Sequence, residues 1–256
     1  MSSISTAGIL LRRVEYGDHD LIVTLLTLDY GKISTIAKYG RKSRKRFPGT
    51  LELFSELTLV ATLPKNGGLP VIKEASLKRP FAGIRGDLLK TAYASYWTEL
   101  VLTWLEEAKA QKKIYQLLRY SLDALAAGQS PAVTSIIFQM YFLQISGLSP
   151  NLKQCSGCRI DIEKMRGEKF GFDLAKGGLV CQGCLTGKPS RHQLSRGTIK
   201  QLLWIQASRL NNAKRLRFTG LAVKESLIFL EAFVPYHLGR EPKSLKFLNH
   251  IRTFNP

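Results

Sequence analysis

Two cysteine pairs set the tightest limit on what this chain can fold into. Cys155-Ser156-Gly157-Cys158 and Cys181-Gln182-Gly183-Cys184 are CxxC knuckles separated by 22 residues, the pairing and loop length of a four-cysteine structural zinc site. Four thiolates complete a tetrahedral ion's coordination and leave no open position, so the pattern points to one structural Zn2+ per chain and away from a catalytic metal. The segment between the pairs, with Lys169-Phe170-Gly171-Phe172 and Gly177-Gly178-Leu179-Val180, reads as a hairpin too small and too polar to fold on its own core. The metal would then supply its folding energy. Glycine before the second cysteine of each pair suits a turn at positive φ, with backbone N–H groups aimed at the sulfurs. A redox pair set and four unconnected cysteines are the alternative readings.

The charge points to a polyanionic partner. The 256 residues hold 38 Lys+Arg against 19 Asp+Glu, a formal +19, with 45% hydrophobic residues. The apolar content excludes disorder as the main state, and the length suits one large or two ordinary domains. Net charge is +6 over residues 1–80, +1 over 81–150 and +12 over 151–256. No acid stands between Asp29 and Glu52, where seven basic residues do, or between Asp173 and Glu225, where ten do. A generically basic surface would intersperse both signs. No run approaches 18 apolar residues and the N-terminus lacks a signal-peptide pattern, so the expected location is cytoplasmic, with no membrane association.

Residues 1–80 read as strands: Ile4 to Val14, Asp20 to Leu28, Lys32 to Tyr39, Leu53 to Thr62 and Leu69 to Leu77, separated by turn formers such as Asp29-Tyr30-Gly31. Five antiparallel strands of this length most economically close into a small barrel, which leaves no edge to protect. An oligonucleotide-binding (OB) barrel is the first candidate and an SH3-like barrel the second. Between the third and fourth strands runs Lys38-Tyr39-Gly40-Arg41-Lys42-Ser43-Arg44-Lys45-Arg46-Phe47-Pro48-Gly49, in which six of twelve residues are cationic. Like charges crowded within a Debye length repel, and phosphates would neutralise them. The candidate DNA-binding residues are therefore Lys38, Tyr39, Arg41, Lys42, Arg44, Lys45, Arg46 and Phe47. The two aromatics either stack on bases of a single strand or fall on the inner face of the barrel.

From Gly86 the periodicity becomes helical. Asp87 to Glu107 and Lys112 to Ala127 carry apolar residues at threes and fours, and Ser130-Pro131 opens a third helix to Ile145 that is apolar almost all round and hence buried. After the cysteine segment, helices are expected from a Ser195 or Thr198 cap, over about Leu221 to Tyr236, and over Ser244 to Ile251. Lys200, Arg209, Lys214, Arg215 and Arg217 form a second basic cluster, suited to a polyanionic partner, where Asn211-Asn212 suggests an exposed turn. The division expected is a barrel over 1–80 and a helical domain over 81–256, interrupted by a zinc-ribbon-like insertion at 151–187.

Enzyme motifs are scarce. The four histidines, His19, His192, His237 and His250, form no metal-ligand run, and no phosphate-binding glycine loop or GxSxG elbow occurs. The chain reads as a non-enzyme.

The order of barrel, basic loop, helical domain and paired knuckles resembles the bacterial RecO family of DNA repair and recombination mediators over essentially the whole chain. The details carrying the resemblance are Gly8-Ile9-Leu10 before Glu15-Tyr16-Gly17-Asp18-His19-Asp20, Leu26-Thr27 to Gly31-Lys32, Gly40 with its trailing cations, and Gly49-Thr50-Leu51-Glu52-Leu53-Phe54. Near the end stand Tyr236-His237-Leu238-Gly239 and Lys243-Ser244-Leu245-Lys246-Phe247-Leu248. Leu53 departs from the proline often found there in that family. The resemblance implies a protein that binds single- and double-stranded DNA, anneals complementary strands and, with RecR, helps load RecA onto strands coated by single-stranded DNA-binding protein. It implies as partners RecR, the acidic C-terminal tail of single-stranded DNA-binding protein and RecF, and a nucleoid-associated location. The alternative is a general RNA- or ribosome-associated binding protein without mediator activity.

Overall fold

Alternating apolar residues build five strands before residue 80: β1 (Ser3–Tyr16), β2 (Asp20–Thr27), β3 (Gly31–Ala37), β4 (Glu56–Thr62) and β5 (Val71–Arg79). They close in the order β1-β2-β3-β5-β4. All pairings are antiparallel except β3 with β5, which meet in parallel through the single pair Ile36 and Val71. The closure is thus uneven, but the arrangement is the OB-like one. Ile4, Leu10, Val23, Leu25, Leu57, Leu59 and Ile72 fill the interior. β4 starts later than Leu53 because Phe54 has φ 71 and is buried. Its N–H donates to the Leu10 carbonyl at 2.8 Å, so residues 51–55 form a turn fastened to β1.

The computed structural model describes residues 3–41, 43, 46–64, 67–185, 192–213 and 216–254. They fall into two compact units, Met1–Gly128 with Lys246–Pro256, and Gln129–Leu245. The change from strands to helices near residue 80 therefore lies inside the first unit. That unit continues with α1 (Ala82–Arg85), α2 (Leu88–Trp104) and α3 (Lys112–Ala126). Asp87 caps α2 by accepting from the Lys90 N–H at 3.0 Å. The helix stops at Trp104 rather than Glu107 because the next residues pair with β3. The Ala108 N–H donates to the Lys32 carbonyl at 2.9 Å, and the Lys32 ammonium donates to the last-turn carbonyl of Leu102 at 2.9 Å. Gly31 permits this crossing: a Cβ there would lie 1.9 Å from the Lys109 carbonyl oxygen. Glu56, fully buried, accepts from Arg79 at 2.6 Å and from the Tyr115 hydroxyl at 2.8 Å, joining β4, β5 and α3.

The second unit opens with α4 (Pro131–Ile145), capped by Ser130 and buried around its middle, as the apolar run predicts. A four-stranded sheet follows: β6 (Asn151–Cys155), β7 (Lys169–Asp173), β8 (Gly178–Val180) and β9 (Gln193–Ser195), in the order β6-β8-β7-β9. The expected hairpin is its β7–β8 part, and the sheet runs beyond residue 187 because β9 pairs with β7. It also has the core that its sequence seemed to lack. Phe170, Phe172, Leu179 and Leu194 are buried, and the Phe172 ring lies 4.4 Å from Phe229 and 5.2 Å from Phe233. Those two rings belong to α7 (Gly220–Leu238), which follows α5 (Arg196–Ala207) and α6 (Leu210–Ala213). The turn expected at Asn211-Asn212 is the short α6. The chain ends with α8 (Lys243–Phe254). In the first unit, its Arg252 donates to the Tyr93 hydroxyl of α2 at 3.0 Å and sits over that ring.

Glu225 of α7 holds the start of α5. Its carboxylate accepts from the Ser195 N–H at 2.9 Å, the Ser195 hydroxyl at 2.7 Å and the Thr198 hydroxyl. Burial pushes its pKa up, but the Thr198 and Ser195 hydrogen bonds outweigh burial and hold it below the usual glutamate value. A folded-state pKa below the unfolded one stabilises above the unfolded value, and that stability is lost as pH falls through the folded one. Thermal unfolding from pH 6 to pH 3 is therefore expected to fall more steeply in the wild type than in Glu225→Gln. Parallel curves would count against this carboxylate as a source of the acid sensitivity.

Candidate nucleic-acid interface and metal centre

The basic loop leaves β3 through Lys38 and Tyr39 and returns into the barrel. Phe47 is only 4% exposed and packs with Leu51 in the barrel core, so it offers no face to a base. Of the two aromatic readings, the inner-face one holds for Phe47, and the stacking one is corrected. Tyr39 is the opposite case, 66% exposed with its ring out. Arg46 serves the fold as well: its guanidinium donates to the carbonyls of Ile72 and Lys73, both at 3.0 Å, and lies 5.1 Å from the centre of the Phe47 ring. Lys38 pairs with Asp20 at 2.7 Å. Lys42, Arg44 and Lys45 lie outside the described residues.

Beside this loop is a cleft of about 860 Å³ whose lining includes Arg13, Glu15, Arg41, Ser43 and Glu52. Arg41 pairs with Glu15 at 3.1 Å and Arg13 with Glu52 at 3.0 Å, and all four side chains are well exposed. Ion pairs this exposed contribute about 0–1 kcal/mol, so a phosphate can displace either acid at little cost, while the Arg13 guanidinium also donates to the Leu51 carbonyl at 3.0 Å. Arg13 escapes sequence reading because it belongs to a strand, far along the chain from the basic run. The β1–β2 pairing, with its irregularity between Leu10 and Arg12, carries it beside the loop.

In the second unit Arg209 and Arg217 are exposed, and the Gln201 side chain donates to the Arg217 carbonyl at 3.3 Å. Lys200 has an acid near it after all, Glu163 at 3.9 Å, brought from the cysteine segment. Lys214 and Arg215 lie outside the described residues.

Cys155, Cys158, Cys181 and Cys184 converge with all sulfurs within 4.8 Å of one another, an arrangement able to hold a metal ion. The Cys158 and Cys181 sulfurs are 3.7 Å apart. Metal–sulfur bonds of about 2.3 Å in a tetrahedron require about 3.8 Å, whereas a disulfide requires about 2.05 Å. Cys155 accepts from the N–H groups of Gly157 at 3.3 Å and Cys181 at 3.4 Å. Burial pushes the Cys155 thiol up, but N–H groups of Cys181, Cys158 and Gly157 reverse this and bring it to about 6. Cys184, next to the Cys158 and Cys181 sulfurs, is pushed up to about 12. Four thiolates so close need a cation between them. The glycines act differently from the expectation: neither Gly157 nor Gly183 has positive φ, and the left-handed residue after the first knuckle is Arg159, at φ 62. Gly157 is required by proximity, since a Cβ there would meet the Cys184 sulfur at 2.9 Å.

Two family models and a set of relatives give the family. The C-terminal family model, "Recombination protein O C terminal", matches residues 85–246, and "Recombination protein O N terminal" matches residues 1–81. The chain belongs to the RecO family. A "DNA repair protein RecO" of Desulfosudis oleivorans is 43% identical over 258 residues, covering 98% of this chain and 99% of that protein. RecO of Desulfatibacillum aliphaticivorans is also 43% identical, over 254 residues and 98% of both chains. RecO of Anaeromyxobacter sp. strain K is 34% identical over 252 residues and 98% of both. This RecO-family chain is thus a DNA repair protein built as an OB-like barrel, a helical region and a four-cysteine cluster. No described helix is long and apolar enough to cross a membrane.

Proposed function

We propose that this protein is a non-enzymatic recombination mediator of the cytoplasm, associated with the nucleoid. It binds single- and double-stranded DNA, anneals complementary strands and, with RecR and RecF, serves the loading of RecA onto strands coated by single-stranded DNA-binding protein. The observation that carries the reading is the cleft beside the basic loop, where Arg13 and Arg41 pair with exposed acids. Phosphates replacing those acids release counterions, so affinity should fall with salt at a log–log slope of about 0.7 per phosphate on single strands. Zn2+ is the ion that best suits four thiolates in a closed tetrahedral site. Its role is to hold the two knuckles together, and the protein's chemistry does not run through it.

The acidic tail of single-stranded DNA-binding protein is proposed to bind the second unit. A recess of about 270 Å³, lined by Pro150, Leu152, Leu203 and Ala207 with Lys153 and Gln206, suits an apolar terminal residue on an acidic peptide. Lys200, Arg209, Lys214, Arg215 and Arg217 would steer it.

One titration series tests the reading. Replacing Arg41, Lys42, Arg44 and Lys45 with Ala is expected to lower DNA affinity and reduce the salt slope by up to about 3, with thermal unfolding unchanged. An unchanged titration at matched salt would take the loop out of the interface and move it to the second basic cluster. In a parallel arm, tail peptides with and without the terminal apolar residue should bind differently in high salt. A marked preference for RNA of equal length would favour a general RNA-binding protein.

A further inference from the structure

The tip of the β1–β2 hairpin and the first residues of the basic loop enclose a second, smaller recess. It measures about 260 Å³ and is lined by Tyr16, Asp18, His19, Asp20, Lys38 and Tyr39. That is below the about 300–1,000 Å³ of sites for drug-sized ligands, a size for one planar ring system. Its apolar surface is aromatic. Tyr16 is 53% exposed and Tyr39 66% exposed, and the Tyr39 ring stacks on His19 with centroids 6.0 Å apart and planes 21° from parallel.

Tyr39 does not reach this position by default. Its φ of 57 is a left-handed conformation that a bulky residue adopts only when its surroundings enforce it. Three bonds do so. The Asp20 carboxylate accepts from the Tyr39 N–H at 2.8 Å and from the Lys38 ammonium at 2.7 Å, and the Arg41 N–H donates to the His19 carbonyl at 3.0 Å. The hairpin tip therefore clamps the loop and holds the ring outward over His19. Exposed aromatic rings held rigid in this way lose little entropy on stacking with a ligand.

The charges decide what kind of group enters. Asp18 and Asp20 line the recess, and Lys38 is already paired with Asp20, so a phosphate gains little inside it. Arg41, on the adjoining cleft, pairs with the well-exposed Glu15, a weaker hold than the more buried Asp20 has on Lys38, and is the better placed cation for a phosphate. We infer that this recess takes one unpaired nucleobase, stacked on Tyr39 against His19 and Tyr16, while the strand's phosphates run along the Arg41 side. Base pairs in a duplex keep their faces stacked on one another, so the recess favours single strands. The inference rests on the DNA-binding reading above and adds to it a base site and a source of strand preference.

The test uses the full chain, an oligo-dT strand, a duplex of equal length, and a single strand carrying 2-aminopurine, whose fluorescence falls on stacking. Tyr39→Leu keeps bulk and removes the π face. It is expected to weaken single-strand binding about tenfold, within the range for loss of one base–aromatic stack. Duplex binding should stay within about twofold, and the salt slope should be unchanged because stacking releases no counterions. The 2-aminopurine quenching should be lost in Tyr39→Leu and retained in Tyr39→Phe. Asp20→Asn, which weakens the clamp while both rings remain in the chain, is expected to fall between wild type and Tyr39→Leu. If the wild type binds single strands and quenches 2-aminopurine equally with Tyr39→Leu, the base site is refuted and the DNA reading stands. Equal loss of single-strand and duplex binding with a flattened slope also refutes it, since the residue would then act through the phosphate-binding loop. If the wild type binds neither strand, the DNA reading itself falls.

Discussion

Stripping the metal from the four cysteines is expected to open the sheet of the second unit while the barrel keeps its own thermal transition. A structural zinc contributes about 10–16 kcal/mol of apparent binding free energy, comparable to the whole stability of an ordinary domain, about 5–15 kcal/mol. Cys155 is the residue to change. It is the buried one of the four, and the N–H groups of Gly157 and Cys181 donate to its sulfur. Cys155→Ser leaves those donors a shorter side chain and removes a thiolate from the cluster. Amide hydrogen exchange should rise sharply over residues 151–158 and 178–185 in this variant and in chelated wild type. The rise should be smaller over β7, because Phe172 keeps its place against Phe229 and Phe233. Elemental analysis of protein purified without added metal should give close to one Zn2+ per chain. Unchanged exchange after chelation, or well under half an equivalent of zinc, would remove the metal from the fold.

That graded response follows from the point where sequence reading stopped. The knuckles were legible because a four-cysteine site would impose its spacing on the chain itself, and the four sulfurs do converge. The aromatic core beneath them was not, since Phe172 and Phe229 are 57 residues apart and nothing local announces that they meet. The reading of Gly157 missed for the same reason: its constraint is the Cys184 sulfur across the site and not its own φ. Local signals did well wherever the cause was local. Ser130-Pro131 and Ser195 cap the helices expected of them, and strand alternation located the barrel.

The interface shows the same division. A cationic run is visible in one dimension, but whether each member serves DNA or the fold depends on neighbours from elsewhere. Phe47 turns inward and packs in the barrel core with Leu51 and Ile72. The Arg46 guanidinium is tied to carbonyls of β5, whereas the Arg41 guanidinium pairs with an exposed glutamate. Arg13 joins the site from β1, through its bonds to Leu51 and Glu52. A charge map therefore finds the region, and strand register selects the residues.

Arg79→Ala is expected to be among the most damaging single changes in the first unit, although Arg79 is a partly exposed basic residue on a strand end. Its guanidinium is 2.6 Å from the carboxylate of Glu56, which has no exposed surface of its own. Lys78, at 3.9 Å, is too distant to replace it as a hydrogen-bond donor. Removing one partner of a buried pair leaves an uncompensated charge and costs about 3–5 kcal/mol, a fall in Tm of roughly 10 °C or more. Tyr115 supplies the other bond. Burial first, and then the Glu56 carboxylate, push its hydroxyl above the ordinary tyrosine range, so it remains a donor at alkaline pH. Tyr115→Phe should cost about 1.5–3 kcal/mol, the worth of a hydrogen bond to a charged group. Replacing all three groups together, Glu56→Leu with Arg79→Met and Tyr115→Phe, is expected to cost much less than the sum of the single changes, because no buried polar group is then left without a partner. Thermal unfolding of the triple variant and of each single change measures this directly. If Arg79→Ala shifts the transition by under about 1 kcal/mol, in the range of an exposed ion pair, then Glu56 is solvated in the folded protein and does not join β4 to α3 as the geometry requires.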